Sequence, residues 1–191
     1  MMQRSHDAAS KKHGPEFERR VLELLRANDR FRRVREATRD EQRKGHFDIF
    51  AEMVSGVILR VECKSIKDND DRLVVIEGRT VCDRDGETHP GWLFGDATHI
   101  AFERADGRIT WVKMSALRGY VDSKDIDWWT TPTTKKIPGH VYTRTSGREQ
   151  DNMIAETVLC GGLKIVMDTR GDRMVYLPMS EIEKLKGAYT S

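Results

Sequence analysis

Apolar positions first recur at helical spacing after Gly14-Pro15, where Phe17, Val21, Leu24 and Leu25 mark one stripe. Proline is tolerated in a first helical turn, so a helix is expected to start at Gly14-Pro15 and end near Asn28-Asp29. Phe31 to Arg35 is expected to be a short strand and the polar stretch Thr38 to Gly45 a loop. Two strand-like runs follow, Phe47 to Met53 and Val57 to Lys64, and the tight connection Val54-Ser55-Gly56 makes them a hairpin. From Ile66 to Asp96 the pattern is mostly turns around one apolar run, Leu73 to Ile76.

A second hairpin is expected from Thr98 to Glu103 and Arg108 to Lys113, joined by Ala105-Asp106-Gly107 and running into a helix from Ser115. A similar strand-turn-strand-helix unit spans Lys164 to Asp168, Arg173 to Leu177 and a helix from Ser180; it reads equally well as duplication or as convergence on a common local pattern. Asp122 to Gly139, with Trp128-Trp129, reads as a linker or surface arm. These elements predict an α/β protein with a mixed sheet flanked by helices: a core over residues 1–121, and an extension over 122–191 that is either separate or part of the same domain.

Residue alternation in the second strand separates two chemistries. Val57, Leu59, Val61 and Cys63 share one face, while Arg60, Glu62 and Lys64 share the other. Folding the preceding strand back about Ser55 sets Met53 against Val57, Ala51 against Leu59 and Ile49 against Val61, all apolar pairs. The same register places Asp48 opposite Glu62, with Lys64 beside them. Two adjacent carboxylates repel unless a cation or a proton lies between them. Oxygen ligands at such a site suit Mg²⁺ or Mn²⁺, and a neighbouring lysine can orient a water or face the charge developing on an attacked phosphate. That is chemistry for phosphodiester hydrolysis. The plainer alternative is a surface salt bridge from Glu62 to Lys64 or Arg60 on a half-exposed hairpin.

Asp48, then Glu62-Cys63-Lys64 on the next strand, behind a helix carrying Glu18, resembles the PD-(D/E)XK nuclease superfamily. The segment Lys12-His13-Gly14-Pro15-Glu16-Phe17-Glu18-Arg19, with Ser65 after Lys64, looks locally most like archaeal Holliday-junction resolvases. The resemblance spans residues 12 to 66. Phe47 stands where the motif's proline would be, and no clear amphipathic helix follows Lys64. The resemblance implies a restriction-endonuclease-like core in which Asp48, Glu62, the Cys63 carbonyl and Glu18 hold Mg²⁺ or Mn²⁺. It also implies that Lys64 positions the attacking water, leaving a 5′-phosphate and a 3′-hydroxyl. Glu16 is the rival to Glu18, but Val21, Leu22 and Leu25 at +3, +4 and +7 place Glu18 at the rim of the buried stripe.

Composition and charge refine this picture. Of 191 residues, 38% are hydrophobic and 34% charged, and no run approaches a membrane span or a signal-peptide core, so a soluble cytoplasmic protein is expected. Cys63, Cys82 and Cys160 form no CxxC pair and are read as reduced thiols. Net charge is only +2, yet residues 1–46 hold 13 Lys/Arg against 8 Asp/Glu. Within them Arg30, Arg32, Arg33, Arg35, Arg39, Arg43 and Lys44 form a cluster that is either a phosphate-contacting surface or a solvated face. Lys135, Lys136, Arg144 and Arg148 invite the same two readings, and His46 is read as a loop cap or a phosphate contact.

The six histidines show no HExxH spacing and no GxxxxGK[ST] occurs, which argues against a zinc hydrolase and against a nucleotide-driven motor. Asp83 to Glu87 is a β-turn too short for a calcium loop. Trp92, Phe94 and Trp128-Trp129 are read as core residues, with base stacking as the alternative. The expected activity is thus metal-dependent endonucleolytic cleavage of duplex or branched DNA. The alternatives are a junction resolvase, for which a homodimer is expected, a catalytically idle DNA-binding module of the same fold, or a structural adaptor.

Overall fold

The computed structural model describes residues 4–66, 72–81, 88–123, 142–145, 152–160, 163–167 and 173–191. Helix α1 spans Arg4–Arg26, followed by β1 (Phe31–Glu36), α2 (Arg39–Gly45), β2 (Ile49–Met53) and β3 (Ile58–Lys64). Strands β4 (Leu73–Val81) and β5 (Thr88–Pro90) and a 3-10 turn (Trp92–Phe94) lead into β6 (His99–Glu103), β7 (Ile109–Lys113) and α3 (Met114–Asp122). The remainder is β8 (Tyr142–Thr145), β9 (Asn152–Cys160), β10 (Leu163–Met167), β11 (Arg173–Pro178), α4 (Met179–Ile182) and β12 (Tyr189–Thr190). The fold is mixed α/β. One six-stranded sheet has the order β1-β2-β3-β6-β7-β12, and a second runs β5-β4-β11-β10-β9-β8.

Three expectations are corrected. Helix α1 starts ten residues before Gly14 and carries Pro15 inside it; the preceding stretch contains Ala8-Ala9 and no breaker, so nothing local stops the helix there. Thr38 to Gly45 is not a loop. Thr38 caps α2, its side chain accepting from the Glu41 N–H while the Glu41 carboxylate accepts from the Thr38 N–H. This reciprocal box, with acids in the first turn and Arg43 and Lys44 in the last, holds a helix that has little apolar surface to bury. After Ile66 the apolar run is part of a longer strand than its turns suggest: β4 extends over nine residues and pairs with β11. The Asp83 to Glu87 turn and Trp128-Trp129 lie outside the described residues, as do Lys135, Lys136 and Arg148.

The hairpin register is the expected one: Ala51 faces Leu59 and Ile49 faces Val61. Gly56 closes the hairpin at φ 85°, a conformation that glycine adopts without steric cost. Beyond β3 the chain returns to the first sheet through β6, which lies parallel to β3 with Glu62 beside Ile100 and Lys64 beside Phe102. The described part of this crossover consists of β4, β5 and the 3-10 turn, with no amphipathic helix among its described residues.

The two faces of the first sheet are covered differently. On one, Phe17, Val21, Leu22 and Leu25 of α1 pack on Ile49, Ala51, Val61, Cys63, Ala101 and Trp111. Each of these buried α1 side chains contributes about 1.5–3 kcal/mol. On the other, Ile100, Phe102 and Val112 meet Val74 and Ile76 of β4, Val175 and Leu177 of β11, Leu117 and Val121 of α3, and Trp92 and Leu93. The strand-turn-strand-helix pattern recurs as β6-β7-α3 and β10-β11-α4. The second copy joins β4 through β11, and Met179 and Ile182 sit in the same core. Among the described residues no helix is long and apolar enough to cross a membrane.

Candidate active site

The hairpin ladder breaks at Asp48. Its backbone N–H donates to the Val61 carbonyl at 2.8 Å, and its carboxylate Oδ2 accepts the Cys63 N–H at 2.8 Å. A side chain thus takes the place of the strand acceptor, and β2 diverges from β3 at this point. In a strand the N–H and C=O of one residue face the same neighbour. The Cys63 carbonyl accordingly faces the opening between the strands, next to Asp48.

Glu62 and Lys64 project to the face covered by the larger core, which explains why Glu62 keeps only 6% of its surface exposed. Lys64 Nζ lies 2.7 Å from Glu62 Oε1 and 5.1 Å above the Trp92 ring centroid. The ion pair anticipated as the plainer alternative therefore exists, with its carboxylate end buried and its lysine half-buried. Trp92 is 2% exposed, in keeping with its core reading, yet its ring face is also the floor under the ammonium. Arg118 of α3 holds that floor: its guanidinium donates to the carbonyls of Leu93 and Gly95.

Glu18 is half-buried and Glu16 exposed. Burial, with Asp48 and Glu36 nearby, pushes the Glu18 carboxyl up to about 7. Burial likewise pushes Glu62 up to about 7, where Lys64 opposes the shift and Asp48 adds to it. Asp48 is raised by burial against the pull of the Cys63 N–H and Lys64. Burial alone would lower Lys64, but Glu62, Glu77 and Asp48 together outweigh it and raise the ammonium. Asp48 is the shared neighbour, since both glutamates feel its charge. The Cys63 thiol is held well above its ordinary value by burial and the surrounding carboxylates, so it stays protonated and plays a packing role.

Two contributors escaped the sequence reading, and a third, Trp92, was read there without this role. Glu36 pairs with Ile49 on the α1 side of the sheet and there adds to the field on Glu18. Glu77 of β4 acts on Glu62 and Lys64. Trp92 completes the set; apart from the alternation that puts Glu36 on the face of Val34, no local signal marks these residues. His46 caps α2 with φ 48° and ψ 58°, a left-handed conformation uncommon outside glycine. Its half-buried imidazole is lowered by burial and by Lys64, so it stands neutral beside the ammonium. The bend there is held by the Asp96 N–H donating to the Gly45 carbonyl at 2.6 Å. Gly95 packs so closely that a Cβ on it would lie 2.5 Å from the His46 Cβ.

The site thus offers carboxylate oxygens, one strand carbonyl and a lysine. Among the described residues no group of three or more His, Cys, Asp or Glu side chains is placed to hold a metal ion. The donor chemistry nonetheless fits Mg²⁺ or Mn²⁺, because such ions are commonly held by one or two carboxylates, with water and substrate phosphate completing the shell. No family model, no curated protein and no solved structure matches this chain.

Proposed function

We propose that this chain is a divalent-metal-dependent nuclease that hydrolyses DNA phosphodiester bonds by endonucleolytic cleavage, on a restriction-endonuclease-like core of the PD-(D/E)XK type. The observation that carries the reading is the pair of carboxyls, half-buried Asp48 and buried Glu62, both raised by loss of water, with Lys64 2.7 Å from Glu62. Carboxyls kept in that condition favour a proton or a metal ion as partner. The order α1, β1-β2-β3 and a β6 parallel to β3 supports the core assignment.

Asp48, Glu62 and the Cys63 carbonyl would hold Mg²⁺ or Mn²⁺, with Glu18 as a further ligand directly or through water. When bound, such an ion supplies Lewis-acid stabilisation of phosphate charge and eases deprotonation of water. Lys64 orients the attacking water and faces the negative charge developing on the phosphate. Water adds to phosphorus, the bond to the 3′ oxygen breaks, and that oxygen takes a proton. The products carry a 5′-phosphate and a 3′-hydroxyl.

One observation favours a second reading, the idle DNA-binding module: Lys64 forms an ion pair with Glu62, which gives the carboxylate a cation of its own. Cleavage of supercoiled plasmid, linear duplex, single strand and four-way junction decides between them, with Mg²⁺, Mn²⁺ or EDTA present. Metal-dependent cutting that Glu62→Ala abolishes is the expected result. DNA binding without cutting would establish the idle module, and preference for the junction would select the resolvase.

A further inference from the structure

We infer that Arg33 and Arg60, on either side of Phe50, bind the phosphates neighbouring the one attacked, so that the substrate strand leaves the carboxylates across β3 and β2 toward the β1 edge. This deepens the nuclease reading and rests on it for the identity of the attacked phosphate.

The argument starts from which cations of the basic cluster already have partners. Arg32 pairs with Glu52, Arg35 grips Glu41 through two hydrogen bonds at 2.7 and 2.8 Å, and Arg43 and Lys44 share Asp40. Among the described residues no carboxylate forms an ion pair with Arg33 or Arg60; Glu52, the register partner of Arg33, feels its charge but is held by Arg32. Arg33 lies over the Phe50 ring at 5.9 Å, and Phe50 is the register partner of Arg60. The Arg60 guanidinium donates to the Asp96 carbonyl at 3.2 Å, which orients it without cancelling its charge.

Position makes this pair more than a solvated face. Arg60 precedes Glu62 by two residues on the same face of β3, and Phe50 follows Asp48 by two on β2. Two strand residues advance about 7 Å, on the order of one nucleotide along a strand. Arg35, also over Phe50 at 4.6 Å, is fixed by Glu41 and stiffens the shelf. Two guanidiniums with no ion-pair partner among the described residues, around a half-buried aromatic ring and one step from a carboxylate site, match a polyanionic chain laid across the sheet.

The test measures binding of a fluorescently labelled duplex by anisotropy in EDTA over a series of salt concentrations, alongside plasmid cleavage in Mg²⁺. The variants are Arg33→Ala, Arg60→Gln, which keeps a donor for the Asp96 carbonyl, their combination, and Lys186→Ala as a control. Lys186 is exposed and precedes β12, at the opposite edge of the sheet. Each arginine variant should weaken binding by about 5-fold and lower the salt slope by about one, with the control nearly unchanged. Cleavage by wild type with arginine variants no weaker in binding than Lys186→Ala would overturn the track and leave the nuclease standing. Binding lost in the arginine variants, with no cleavage by wild type, would keep the track and remove the nuclease. Wild type that binds no duplex would overturn the track outright.

Discussion

The Asp48 carboxylate accepts the Cys63 backbone N–H at 2.8 Å, replacing the carbonyl that a regular hairpin would have supplied. One side chain therefore does two jobs: it ends the β2–β3 ladder and forms one wall of the carboxylate site. The two jobs can be separated by mutation. Asp48→Asn keeps an acceptor for Cys63 and should unfold in urea at nearly the wild-type midpoint, whereas Asp48→Ala strands a buried N–H and should cost about 1–3 kcal/mol. Calorimetry should show Mg²⁺ affinity falling at least about 10-fold in both variants. Unchanged affinity in Asp48→Asn would move the metal elsewhere.

Lys64→Ala should abolish cleavage while DNA binding in EDTA persists, because it removes the group facing the phosphate and no proposed ligand. The activity loss should be at least about 100-fold. Glu62 is left without its cation, at a cost of at most about 3 kcal/mol, since Lys64 keeps 33% of its side chain exposed. The stability loss should be larger at pH 8 than at pH 5, where Glu62 can take up a proton instead. Turnover at the wild-type rate in this variant would remove lysine from the mechanism.

Glu18 and Glu62 set opposite pH trends for the metal-free and metal-loaded protein. Both carboxyls are raised from 4.5 to about 7 in the fold. The folded state holds their protons more tightly than the unfolded chain, so their contribution to stability is complete below about pH 4.5 and is lost as pH rises through 7. Thermal unfolding in EDTA should show this pair lowering Tm between pH 5 and 8, and Glu18→Gln with Glu62→Gln should flatten the trend. Metal binding needs the deprotonated forms, so Mg²⁺ affinity should climb over the same interval. A flat metal titration from pH 5 to 8 would exclude these two groups as ligands.

The capping box on α2 is a stability prediction independent of function. Thr38→Ala removes the side-chain acceptor for the Glu41 N–H and should cost about 1 kcal/mol in urea unfolding. Because α2 ends at His46, two residues before Asp48, the same change should raise amide exchange at residues 45–48. Protection there equal to wild type would show that the bend is held by the Gly45–Asp96 contact alone.

Period-two alternation was enough to place Glu62 and Lys64 on one face and Cys63 on the other. The apolar pairs Ala51–Leu59 and Ile49–Val61 were enough to set the register, because a slip of one residue would have turned every apolar side chain of the hairpin to the wrong face. The α1 stripe was legible for the same reason. Its start was not, because Pro15 is a weak stop when the residues before it favour a helix.

Tertiary structure alone decided how deeply the carboxylates are buried. Ile100 and Phe102 arrive beside Glu62 and Lys64 only because β6 returns parallel to β3 after a crossover of strands, and no local pattern announces that pairing. Glu36, Glu77 and Trp92 reach the site from β1, β4 and the 3-10 turn by the same long-range assembly. Local sequence specifies which side chains share a face. Burial and field depend on what packs against that face, and here those neighbours come from distant parts of the chain.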